Sequence, residues 1–211
     1  MLEILKLGVI LAFFISFISL CYLIMKTYYS QKRILHSKPR GKGLRGVMYA
    51  FGRGMVPWEK ESAARHLPTY LAGIIYHIGI FAAFFYLASL LVRLTLNPGI
   101  MLALRVFISA GLICGLGLLV KRTVKTQLRE ISCPDDFASN MLVDLFLALS
   151  LANRFAPGLK PYFFAAALLM LLYIPVGKIR HCFFFFYSRI LFGSFFGRRG
   201  VLPKKEDPSR I

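Results

Sequence analysis

Residues 69–93 read TYLAGIIYHIGIFAAFFYLASLLVR, an apolar stretch that ends at Arg93 and carries one imidazole, His77. About 20 apolar residues in helical form cross the ~30 Å hydrocarbon core of a bilayer. A helix also satisfies its own backbone donors and acceptors, which lipid cannot do. This stretch therefore predicts a transmembrane helix. Blocks of similar character occur at 5–26, 101–121, 138–153 and 161–187, of which 138–153 is short. The predicted fold is an all-α membrane protein, a five-transmembrane-helix bundle over 1–196. A basic segment, 28–68, separates the first two spans, and a basic tail covers 197–211. Hydrophobic residues make up 57% of the chain and the mean hydropathy is +0.64, which excludes an ordinary water-soluble domain.

The net charge of +18 is distributed unevenly. Lys32, Arg33, Lys38, Arg40, Lys42, Arg45, Arg53, Lys60 and Arg65 lie between the first two spans. Lys121, Arg122, Lys125 and Arg129 follow the third, and Arg198, Arg199, Lys204 and Lys205 follow the fifth. The opposite ends carry Arg93, Arg154 and Lys160. Cationic residues accumulate on the cytoplasmic side, so the N-terminus is expected outside and the C-terminus in the cytoplasm. The expected location is the cytoplasmic (inner) membrane of a prokaryotic cell, multi-pass. The basic residues come with no aromatic-and-basic recognition module, which argues against nucleic acid and for anionic lipid headgroups. Trp58, within the Arg53-to-Glu59 stretch, is expected at the membrane–water boundary.

The leader MLEILK is barely basic and no small-residue cleavage site follows, so a retained first helix is expected. Cys21, Cys114, Cys133 and Cys182 form no C-x-x-C pair, which argues against an iron–sulfur cluster or structural zinc in this chain. The glycines of GKGLRG, residues 41–46, lack the strand–loop–helix setting of a phosphate loop. The aromatic run 183–186 is read as packing against lipid or a partner.

His77 and His181 both fall inside membrane-length segments, where an ionisable side chain is costly and marks a functional site by default. His77 lies sixteen residues before Arg93, ~24 Å of helix. His181 lies nineteen residues after Tyr162, ~28 Å. The two depths agree within one turn. Neutral imidazole is the usual axial ligand of haem iron, so the pair suggests one bis-histidine haem b. Arg65, Lys178 and Arg180 are candidate partners for haem propionates through charge-assisted bonds, with snorkelling to the headgroups as the alternative. Gly73 and Gly79 flank His77; they either admit a flat macrocycle or serve close helix packing. His36 and His66 belong to the basic segment and are expected to be solvated.

The motifs Tyr76-His-Ile-Gly-Ile80 and Pro175-Val-Gly-Lys-Ile-Arg-His181, the latter a P-x-x-[KR]-x-x-H pattern, carry a family resemblance. The chain resembles the gamma-subunit family of respiratory nitrate reductase and the related cytochrome b subunits of heterodisulfide-reductase-like and sulfite-reduction-associated membrane complexes. In the nitrate reductase gamma subunit, four histidines bind two haems, and His77 and His181 match the cytoplasm-proximal pair. The resemblance places the other two ligands at Leu87 and Phe163, both apolar here, which implies a single haem. It further implies quinone or menaquinone chemistry coupled to a cytoplasmic iron–sulfur subunit, which would dock on 28–68 and on the loop 121–136. Tyr70, Tyr76 and Arg65 on one side, or Arg93, Arg154 and Lys160 on the other, are candidate quinone contacts. The alternative is a haem-free membrane anchor or small transporter that recruits a soluble enzyme through its basic loops. A transporter would be expected to show inverted repeats, and none is visible.

Overall fold

The computed structural model describes residues 1–30, 38–59 and 61–202. Lys32, Arg33, His36, Lys60, Lys204 and Lys205 lie outside them, as does most of the expected tail. The described residues form helices and turns, with no strand among them. In chain order the helices are α1 (Leu2–Ser30), α2 (Gly43–Phe51), α3 (Glu61–Arg65), α4 (Leu67–Leu91) and α5 (Pro98–Val124). They continue with α6 (Thr126–Glu130), α7 (Pro134–Phe155), α8 (Lys160–Tyr173) and α9 (His181–Arg198). Helices α1, α4 and α5 are long and apolar enough to cross a membrane, and α8 with α9 makes a fourth span if that pair counts as one.

Two of the five expected spans differ from their reading as apolar helices. The block 138–153 lies within α7, whose 22 residues give ~33 Å. Its length suffices, but Asp135, Asp136, Asp144 and Arg154 lower its apolarity. The block 161–187 is not one helix. It breaks between Tyr173 and Lys178, where Pro175 removes a backbone donor and disfavours helix at the preceding residue. The Gly177 N–H still reaches the Tyr173 carbonyl at 2.8 Å. The Lys178 N–H donates instead to the Asp135 carboxylate at 2.9 Å.

The chain divides into two compact units. The first comprises Met1–Ser19 and Pro68–Ile179. Its core is Phe146, Phe163, Phe164, Leu147, Ile108 and Met170, all fully buried. Phe163 stacks on Phe146 at 5.4 Å between ring centroids. Helices α4 and α5 cross at glycines: a methyl group at Gly79 would lie 2.7 Å from Gly111 Cα. Small residues let membrane helices approach this closely. Helix α5 begins at Asn97, whose side chain accepts from the Ile100 N–H at 2.8 Å, with Pro98 following.

Helix α7 turns its polar residues inward. Asp144, Ser150 and Asn153 are buried, while Met141 and Leu145 are about half exposed. That arrangement suits a lipid surround, where polar groups find partners only inside the bundle. Its N-terminus is capped by Asp136, which accepts from the Cys133 N–H at 2.9 Å. Asp135 and Asp136 also lie where the helix dipole favours negative charge.

The second unit comprises Leu20–Leu67 and Arg180–Ile211. Helices α2 and α9 pack through Gly46 and Ala50 on one side and Gly193 and Gly197 on the other. A methyl group at Gly46 would lie 2.6 Å from Gly197 Cα. The Arg40 and Gly41 N–H groups donate to the Arg198 carbonyl at 2.8 and 3.0 Å, and Phe51 stacks on Phe186 at 6.1 Å. Leu44 and Met48, one turn apart, face outward beside the exposed Arg45. An apolar stripe flanked by cations is the pattern of a helix lying in the membrane interface.

Candidate functional site

His77 lies on the exposed side of α4. Its Nδ1 is 2.6 Å from the Gly73 carbonyl, one turn earlier. A carbonyl oxygen only accepts, so Nδ1 carries the hydrogen and the lone pair of the neutral ring is on Nε2. Metal-binding histidines are held by the same kind of bond, which fixes tautomer and ring direction. Gly73 has open space where a side chain would begin, whereas at Gly79 that space is filled by α5. Of the two glycines flanking His77, Gly79 thus serves helix packing rather than room for a macrocycle.

His181 opens α9 and is exposed, as is Arg180 before it. Arg65 is the last residue of α3 and is exposed. Lys178 is engaged: its ammonium lies 2.6 Å from Asp136 Oδ2. His77 and Lys178 belong to the first unit, and Arg65, Arg180 and His181 to the second. Among the described residues, no three His, Cys, Asp or Glu side chains gather as a metal site.

Leu87 and Phe163 are core residues, 4% and 0% exposed. Phe163 is also 5.8 Å from the Tyr86 ring. Of the candidate quinone contacts, Arg154 stacks over the Tyr86 ring at 5.1 Å and its guanidinium also contacts the Met101 sulfur. Arg93 lies 3.7 Å from the Glu3 carboxylate. Tyr76 is buried, with its hydroxyl turned toward α7 rather than outward.

The expected docking loop 121–136 is internally braced. Arg122 donates to Ser132 at 3.0 Å and pairs with Asp136 at 3.3 Å. Lys125 and Arg129 remain exposed. Burial alone would push the Asp136 carboxyl up, but the hydrogen bonds from Lys178 and Cys133 outweigh it and hold it at about 2. In the segment 28–68, Glu59 accepts from Tyr49 at 3.0 Å and from Arg53 at 2.8 Å, and Trp58 is 77% exposed.

A polar cluster not singled out from the sequence lies inside the first unit. Asn140 Nδ2 is 2.8 Å from Asp144 Oδ2, 3.2 Å from the Tyr76 hydroxyl and 3.4 Å from the Gly115 carbonyl. A signal for it exists: an aspartate in the middle of an expected span, with an asparagine one turn before it. No protein-family model, no curated protein and no solved structure matches this chain.

Proposed function

We propose that this chain is a membrane cytochrome b subunit of a respiratory-type oxidoreductase. It carries electrons between a membrane quinone or menaquinone and a cytoplasmic iron–sulfur partner through one haem b. His77 and His181 are its axial ligands, and Arg65, Lys178 and Arg180 are the cations offered to its propionates. The proposed topology is five spans with the N-terminus outside, in the cytoplasmic membrane of a prokaryote, surrounded by anionic lipid. Haem iron bound there supplies a one-electron couple.

The observation that carries this reading is the bond from His77 Nδ1 to the Gly73 carbonyl at 2.6 Å. It directs the Nε2 lone pair away from the helix's own backbone, the state an axial ligand requires. Further support comes from the motifs around the two histidines; the depth count for His181 presumes a continuous helix, and that helix breaks between Tyr173 and Lys178. The burial of Leu87 and Phe163 supports one haem rather than two, since neither side chain offers a lone pair to iron. The residues' own part is to orient the ring, set the charge around it and exclude water.

One observation favours the alternative of a haem-free anchor: Lys178 is already engaged by Asp136. A reduced-minus-oxidised optical spectrum of the purified, haem-supplied protein distinguishes the two. A b-type band is expected. A folded sample without it would leave the anchor.

A further inference from the structure

We propose that Asp144 is a proton-binding site inside the helix bundle, holding its proton at neutral pH. The proposal stands whether or not the histidines carry iron.

Asp144 is 5% exposed and lies where three helices meet. Asn140, one turn earlier on α7, donates to Oδ2 at 2.8 Å. Oδ1 has no hydrogen-bond partner. The space for it exists because residue 115 is glycine: a methyl group there would overlap Oδ1 and lie 2.9 Å from Tyr76 Cζ. The carboxyl therefore sits in a fitted notch beside the Tyr76 phenol, its one other neighbouring donor besides Asn140 among the described residues.

No counter-charge is at hand among the described residues. Helix α4 presents the Tyr76 phenol, α5 presents Gly115 and leucines, and α8 packs on α7 through apolar residues such as Phe163 and Phe164. The cations on α5 are directed elsewhere, Arg105 over the Phe155 ring, Lys121 to Thr69 and Arg122 to Ser132 and Asp136. Arg154, on α7 itself, is held by Tyr86 and Met101. A buried carboxylate without a cation or a full set of donors is costly, and such a group binds a proton instead. With the proton on Oδ1, the acid keeps Oδ2 as acceptor for Asn140 and avoids a buried charge.

An apolar groove lies beside the site. Leu112, Leu116, Met141, Leu145 and Asp144 line an open groove of about 280 Å³ on the first unit, with Asp144 Oδ1 buried behind its apolar wall. Its walls are apolar, so it admits a hydrophobic reagent and excludes a charged one.

Dicyclohexylcarbodiimide tests this, because only a protonated carboxyl adds to it. The acid O–H adds across one C=N bond, its proton going to nitrogen and its oxygen to carbon. The acyl group then migrates from oxygen to nitrogen, giving a stable N-acylurea from which nothing has left. The full-length protein in lipid vesicles is treated across a pH series and its peptides are weighed. At pH 7 the peptide containing residue 144 should gain one reagent mass. Because Asp136 is held at about 2, its carboxyl should take up at least about tenfold less reagent. Labelling should fall as pH rises and vanish in D144N. Infrared difference spectra of wild type against D144N give a readout that needs no reagent access. A protonated-carboxyl C=O band, present in wild type at pH 7 and missing in D144N, is expected. Absence of that band overturns the proposal whatever the label does. Labelling at residue 144 that appears only in acid overturns it as well.

Discussion

Lys178 Nζ lies 2.6 Å from Asp136 Oδ2, and this contact ties the break after α8 to the start of α7. The same carboxylate caps α7 through the Cys133 N–H. Removing it takes away a cap and the ion pairs to Lys178 and Arg122 together. Asp136→Ala should cost about 1–2 kcal/mol, most of it from the cap. Thermal melting of the detergent-solubilised protein checks this. An unchanged Tm would show the contact to be incidental.

The pH dependence of the same group follows from its direction. Asp136 is held at about 2, below its ordinary value of 3.8. Its stabilising contribution is therefore present above about pH 4 and is lost as pH falls through about 2. Wild type should lose stability over that window, and the difference between it and Asp136→Asn should narrow there.

The crossing of α4 and α5 at Gly79 and Gly111 leaves no room for side chains. Gly79→Leu should destabilise the protein by about 1–3 kcal/mol or more through overpacking. At Gly117, also on α5, an added methyl group would meet nothing within 4 Å. Gly117→Ala should be neutral or stabilising, by up to about 1 kcal/mol from helix propensity. Equal melting temperatures for the two variants would contradict this packing.

His77→Ala and His181→Ala should each abolish the b-type absorption while leaving the protein in the membrane fraction. Loss of one axial ligand opens the iron, whereas alanine in an apolar helix only removes a polar burden. His36→Ala should leave the absorption unchanged. The reverse pattern, with His36 required and His77 dispensable, would reassign the ligands.

Crosslinking should capture a soluble partner through 28–68 or 121–136, where Lys42, Arg45, Lys125 and Arg129 are exposed. The connections near Pro98 and Pro157 are too short for a typical interface of ~800 Å² per partner. Capture through those connections alone would contradict the docking surfaces.

The helical character of the chain is legible in its sequence because blocks of apolar residues have few other solutions in lipid. The break at 174–177 is legible in principle from Pro175 and Gly177, but counting apolar length passes over it. Helix α2 is hidden because nine residues inside a basic segment do not register as a span; its apolar stripe shows only once Gly46 and Ala50 are set against α9. Gly79 illustrates a different limit. A missing side chain leaves room for something, and only the crossing with Gly111 identifies that something as another helix. Asp144 escapes notice beside the two histidines, although an aspartate in an expected span carries the same cost. Tyr76 is a candidate quinone contact by sequence, yet its hydroxyl turns into the Asn140 cluster because α7 brings polar groups inward.

The most direct test of the central proposal is haem stoichiometry: extraction and pyridine-haemochrome quantitation on the purified full-length protein, alongside its reduced-minus-oxidised spectrum. One haem b per polypeptide is the expected result, given two histidine ligands and the buried apolar positions Leu87 and Phe163. No haem in a folded, haem-supplied sample, or two haems per chain, would contradict it.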